Sequence, residues 1–176
     1  MRKRYSHSTP LSWWVFFKIK TMKKETKERI RQSILANERR KYPNMSLHLF
    51  PPPKVQENSA NALTRTIIEF LKAEGWQAER INTTGRYVQG KTITNVLGGK
   101  QQLPGKWIKG SGTKGSADIS ATINGRSVKI EVKYGRDKQS DNQKQYQADV
   151  ERAGGVYLIA RDLDGFLEDY DKLLEL

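Results

Sequence analysis

The sequence predicts an α/β fold, a central mixed β-sheet with flanking helices, preceded by a basic N-terminal extension that is mostly irregular or helical. Three observations predict it. Asn124-Gly125 is flanked on both sides by alternating apolar and polar residues, the signature of a two-residue β-hairpin. A run from Asn58 or Ser59 to Ala73 places Leu63, Ile67, Phe70 and Leu71 at i, i+4, i+7 and i+8, one face of a helix. Between two further helical segments stands Val156-Tyr157-Leu158-Ile159-Ala160, which reads as a buried strand.

Taken in order, residues 1–57 hold 14 Lys or Arg against 4 Glu and lack a core pattern, whereas residues 58–176 hold 18 against 15. The chain therefore divides into a basic N-terminal extension with a Pro-rich linker, 1–57, and one folded domain, 58–176, of ordinary size. Pro51-Pro52-Pro53 is a stiff, extended stretch that cannot continue a helix. The run Leu11 to Ile19 is apolar and follows a basic start, but Lys18 interrupts it and no small-residue cleavage site follows. It also falls far short of the roughly 20 residues that span a bilayer, so neither export nor a membrane anchor is expected. A start of translation at Met22 or Met45 is an alternative that leaves this run out altogether. Lys23 to Arg40 reads as a basic helix with a thin apolar strip of Ile30, Ile34 and Leu35, expected to be solvated, with a specific DNA reader as the alternative.

The helix ending at Ala73 is closed by Gly75. Trp76 to Ile81 is the expected first strand, followed by a turn at Asn82-Thr83-Thr84-Gly85. The segment Arg86 to Gly115 is rich in Gly and Lys and reads as a mobile cationic loop, in which Trp107 either stacks on a base or anchors the loop. Its Gly98-Gly99-Lys100 is not a phosphate-binding P-loop, because the full GxxxxGK[ST] pattern is missing. After the hairpin, Ser140 is the expected N-cap of a helix to about Ala153, ended by Gly154-Gly155, with Gln143, Tyr146, Gln147 and Val150 on one face. A last helix covers Leu163 to Leu176.

The hairpin carries the chemistry. A two-residue turn at Asn124-Gly125 pairs Ile123 with Arg126, Thr122 with Ser127, Ala121 with Val128, Ser120 with Lys129, Ile119 with Ile130 and Asp118 with Glu131. Alternation then puts Ile119, Ala121, Ile123, Val128, Ile130 and Val132 on a core face, and Asp118, Ser120, Thr122, Ser127, Lys129, Glu131 and Lys133 on a polar one. Opposed carboxylates with Cβ atoms roughly 4.5–5.5 Å apart repel. A hard divalent cation compensates, since Mg²⁺ takes one or two carboxylates plus water and phosphate. The competing account is an ordinary solvated face on which Lys129 and Lys133 neutralise the acids.

Gly115-Ser116-Ala117-Asp118 followed by Glu131-Val132-Lys133 resembles the PD-(D/E)XK nuclease superfamily, with Ala117 where the Pro of the name stands. Arg80-Ile81-Asn82 with Thr83 to Gly85, Gln139-Ser140, Gln143-x-x-Tyr146 and Ala153-Gly154-Gly155-Val156-Tyr157 extend this to its VRR-NUC branch over roughly Ala60 to Phe166. The resemblance implies a restriction-endonuclease-like core of the kind shared with Holliday-junction resolvases. It implies a nuclease that uses Mg²⁺ or Mn²⁺ to hydrolyse DNA phosphodiesters, acting on branched or flap-type DNA. Asp118 and Glu131, with the carbonyl of Val132, are the implied metal ligands, and Lys133 the implied catalytic cation that orients the attacking water and stabilises charge on the transition state. Gln143 is the implied support, binding the attacking water, the phosphate or Lys133, or else capping nearby backbone. Superfamily members often take another acid from the first helix; the aligned position is Asn61, Glu57 is a weak candidate one turn earlier, and Glu69 is expected to be solvated.

Nucleic-acid contacts are expected from Arg80, Asn82, Lys109, Lys114 and Tyr146, with Arg80 either touching phosphate or pairing structurally with an acid. A net charge of +13 and a pI near 9.9 agree with a polyanionic partner. The resemblance also allows a homodimer. With no Cys, zinc fingers, iron–sulfur ligation and thiol catalysis are excluded, and His7 and His48 both fall in the extension. Lack of Cys and of an export signal leads to a cytoplasmic expectation. The reading from a different class is a catalytically inactive nucleic-acid-binding module on a nuclease-like scaffold, for which Asn61 in place of Glu is the main support.

Overall fold

In a computed structural model, residues 22–175 are described apart from 83–84, 95–97, 109 and 111. The apolar run at 11–19, His7 and Lys109 lie outside the described residues. The elements are helices α1 (Lys24–Lys41), α2 (Ala60–Ala73), α3 (Asp141–Arg152) and α4 (Leu163–Leu174), and strands β1 (Gln77–Arg80), β2 (Arg86–Val88), β3 (Thr92–Thr94), β4 (Lys100–Gln102), β5 (Lys106–Ile108), β6 (Ile119–Ile123), β7 (Arg126–Val132) and β8 (Val156–Ala160). A 3₁₀ turn spans Leu47–Leu49.

The main sheet has the order β1-β6-β7-β8, antiparallel except for the parallel β7–β8 pair. Asn124 and Gly125 take φ of 49° and 76°, the positive values that a type I′ turn demands, and the β6–β7 register runs from Ile123↔Arg126 to Ile119↔Ile130 as the turn dictates. Parallel pairing needs a crossover, which α3 supplies. Helices α1, α2 and α4 cover one face of the sheet and α3 the other.

The first face is the hydrophobic core. Leu63, Ile67, Phe70 and Leu71 of α2 are fully buried against Ile119, Ile123, Val128 and Ile130. Phe70 meets Tyr170 edge-on with ring centroids 5.2 Å apart, and Trp76 Nε1 donates to the Tyr170 hydroxyl at 2.7 Å. The Ser59 hydroxyl accepts from Ala62 N–H at 3.2 Å, a side-chain N-cap that starts α2 where its apolar stripe begins.

Two expectations change. Helix α1 was expected to be solvated, yet Ile30 is fully buried in the common core, Arg29 binds Asp171 of α4 through two hydrogen bonds of 2.6 and 2.7 Å, and Lys23 N–H donates to Asp164. One residue per turn is enough to dock a helix whose other faces stay polar. The segment Arg86 to Gly115 is not merely a loop. Strand β2 pairs with β5 and β3 with β4 in one common register, and Leu103 N–H donates to Lys91 O at 3.0 Å across the interruption. These strands form one antiparallel ribbon. Among the described residues no helix is long and apolar enough to cross a membrane.

Candidate active site

The second face of the sheet holds a polar layer beneath α3. Glu131 is 2% exposed and Lys133 4%. Both point away from the apolar core because they alternate with Ile130 and Val132 on β7. Ser140 starts α3 with a capping box: its hydroxyl accepts from Gln143 N–H, and Gln143 Oε1 accepts from Ser140 N–H at 2.9 Å. That box fixes the Gln143 side chain, whose Nε2 donates to Glu131 Oε1 and whose Oε1 also accepts from Lys133 Nζ at 3.0 Å. Gln143 therefore does two of the jobs expected of it as alternatives, capping backbone and holding Lys133.

Lys133 Nζ lies 3.0 Å from Glu131 Oε1 and 3.2 Å from Asp137 Oδ2, so its three donors meet Glu131, Gln143 and Asp137. Burial pulls the Lys133 amine down, but its hydrogen bonds to Glu131 and Asp137 outweigh this and leave it raised, hence charged. For Glu131, burial pushes the carboxyl up, and the nearby Asp118 charge adds to the push that Lys133 only partly offsets.

Asp118 stands one residue before β6. The β6–β7 ladder ends at Ile119↔Ile130, and in place of a further backbone pair Asp118 Oδ2 accepts from Val132 N–H at 2.9 Å. On its other side Asp118 O accepts from Ile81 N–H at 2.8 Å, tying the end of β1 to the same point. Gly115 leads into this corner with φ of +82°, and a Cβ there would run into the backbone of Asn142 at the start of α3. Only glycine fits, which is a physical reason for that residue in the Gly115-Ser116-Ala117-Asp118 stretch.

Asp118 and Glu131 thus face one another on the α3 side, each with one oxygen engaged by the protein and the other, Asp118 Oδ1 and Glu131 Oε2, accepting no hydrogen bond from the described residues. Two carboxylates that repel and present open lone pairs fit a hard divalent cation, which needs no more than one or two such ligands from protein. Among the described residues no three His, Cys, Asp or Glu side chains gather as a metal cage, so the remaining ligands would be backbone, water or phosphate. Val132 sits between the two polar residues with its side chain in the core.

The acids looked for on and before α2 are absorbed elsewhere. Asn61 Oδ1 accepts from Arg80 at 2.8 Å, so the partner of Arg80 is an amide rather than the acid expected for it, and Glu57 Oε2 accepts from Leu163 N–H at 2.7 Å at the start of α4. Glu69 is exposed, as expected. Asn82 and Lys114 are exposed near the site corner, while Tyr146 is half-buried with its ring 6.4 Å from that of Tyr157.

Two residues of the site went unread in the sequence. Asp137 is a loop carboxylate four residues past Lys133, with no pattern to mark it. Tyr157 pairs with Lys129 across β7–β8 and so shares the Glu131 face. Burial, with the Glu131 charge adding and the nearby Gln139 side chain opposing, pushes its phenol up to about 12, and Gln139 stands near its hydroxyl without reaching full hydrogen-bonding geometry. Alternation along β8 was the available signal. No family model matches the chain, and no curated protein or solved structure matches it either.

Proposed function

We propose that this chain is a metal-dependent DNA phosphodiester hydrolase of PD-(D/E)XK type, in the VRR-NUC branch, with a restriction-endonuclease-like core. The observation that carries the reading is the convergence of Asp118, Glu131 and Lys133 on one polar face, two carboxylates with open oxygens beside a buried, charged ammonium.

Asp118 and Glu131, with the Val132 carbonyl, would hold Mg²⁺ or Mn²⁺. Such an ion, when bound, polarises the scissile phosphate and makes a coordinated water more acidic. Lys133 keeps its proton because Glu131 and Asp137 stabilise the charged form, so it acts as an electrostatic clamp for negative charge on phosphate and as an orienter of water. All three of its donors are engaged, and the partner most easily exchanged for a phosphate oxygen or water is Asp137, whose side chain is 59% exposed. Gln143 holds Glu131 and Lys133 at fixed separation through the α3 capping box. Tyr157, neutral at physiological pH, is a further donor on the same face.

A second reading, a binding module without turnover, is favoured by one observation: Arg80 occupies Asn61, where the superfamily pattern asks for an acid. A panel of linear, flap, splayed and four-way DNA substrates with Mg²⁺, Mn²⁺ or EDTA decides. Cleavage with either metal that EDTA stops is the expected result, with branched or flap DNA preferred. Tight binding in every condition with no product anywhere would establish the binding module instead.

A further inference from the structure

The β2–β3/β4–β5 ribbon takes no part in the core, yet its composition is far from neutral. From Arg80 to Ala117 the chain has seven Lys or Arg and no Asp or Glu. Among the described residues Arg86, Lys91, Lys100 and Lys106 form no ion pair, so their charge is left for a partner.

Tyr87 and Trp107 are directly opposed across β2–β5, hence on one face, and are 62% and 67% exposed. Each ring lies over the glycine that precedes the opposite strand: a Cβ at Gly85 would stand 2.9 Å from Trp107 Cε2, and one at Gly105 2.8 Å from Tyr87 Cε1. Glycine backbone supports one side of each ring and leaves the other to solvent. Arg86 and Lys106 occupy the opposite face of the same strands, where side chains longer than the ribbon is thick reach its edges.

Exposed aromatic platforms within a cationic, acid-free element suit a partner with both π-faces and phosphates. We infer that this ribbon binds unpaired DNA, one base stacking on the Tyr87–Trp107 pair while ribbon cations neutralise flanking phosphates. The choice of DNA rests on the hydrolase reading; the stacking site itself rests on the ribbon. Tyr87 is six residues beyond Ile81, which is bonded to Asp118, so its Cα lies within about 22 Å of the site corner. Stacked bases would then belong to the same DNA whose backbone meets Asp118 and Glu131, as in a flap or splayed end.

The test is binding of the full chain, in EDTA, to three fluorescein-labelled ligands of about 15 nucleotides: oligothymidylate, an abasic chain of the same length, and a duplex. Wild type should prefer oligothymidylate. Trp107→Ala and Tyr87→Ala should each weaken that binding by about 5- to 100-fold while changing the abasic chain by less than about 2-fold, and Trp107→Phe should keep most of the affinity. Unchanged oligothymidylate binding overturns the proposal, as does equal loss on oligothymidylate and the abasic chain, which would mean that the rings only hold the ribbon together. A wild-type preference for the duplex also overturns it, and points to groove insertion of the ribbon. Because no metal is present, these outcomes leave the hydrolase reading untouched.

Discussion

Asp118→Asn should lower the rate of DNA cleavage by about 1,000-fold, because loss of a metal ligand forfeits several kcal/mol of transition-state stabilisation at about 1.4 kcal/mol per decade. The same substitution should leave the metal-free fold at least as stable as wild type. Asn Oδ1 can still accept from Val132 N–H, and removal of the Asp118 charge relieves the repulsion that helps push the buried Glu131 carboxyl up. Melting temperature in EDTA and initial cleavage rate in Mg²⁺, taken on the same preparation, check this pairing. Activity lost together with several degrees of stability would assign Asp118 a purely structural role.

Lys133→Met should destabilise the chain by about 3 kcal/mol, the lower end of the range for breaking a buried ion pair, because a proton can replace the missing cation on Glu131. For a chain of this size that is about 6 to 12 °C in melting temperature. The loss depends on pH with a definite sign. Glu131 already has a folded-state pKa above its ordinary value, and without Lys133 that value rises further. Between the unfolded and the folded pKa the folded state holds the extra proton, so the variant is most stable at low pH and loses stability as pH rises through that window. Thermal melts of the variant from about pH 5 to pH 8 should therefore fall more steeply than those of wild type. Parallel curves would show that Glu131 does not depend on Lys133. Cleavage should be lost at every pH, since no charged clamp remains.

What was legible in the sequence follows from how strongly local rules fix each element. Asn124-Gly125 sets a hairpin register with no freedom, so Ile119↔Ile130 and the division into an apolar and a polar face follow directly. Ser59 and Ser140 start α2 and α3 by short-range hydrogen bonds that depend only on neighbouring residues. The ribbon was not legible because its strands are three residues long with both faces largely exposed, so no buried alternation marks them. Docking of α1 rests on Ile30 and on partners more than 130 residues away, Asp164 and Asp171, which no local pattern discloses. At the site, residue types and the shared face could be read, whereas the partners could not. That Gln143 bonds Glu131 and Lys133 at once, that Asp137 completes the lysine, and that Glu57 is spent on α4 all depend on tertiary contacts.

The most direct measurement is a Mn²⁺ titration followed by electron paramagnetic resonance, with already cleaved flap DNA, the reaction product, present so that its phosphate can complete the coordination. Wild type should bind Mn²⁺ in a site that Mg²⁺ competes for, and Asp118→Asn and Glu131→Gln should each lose it while still binding the DNA. Equal Mn²⁺ binding by wild type and both variants would contradict a metal centre at Asp118 and Glu131.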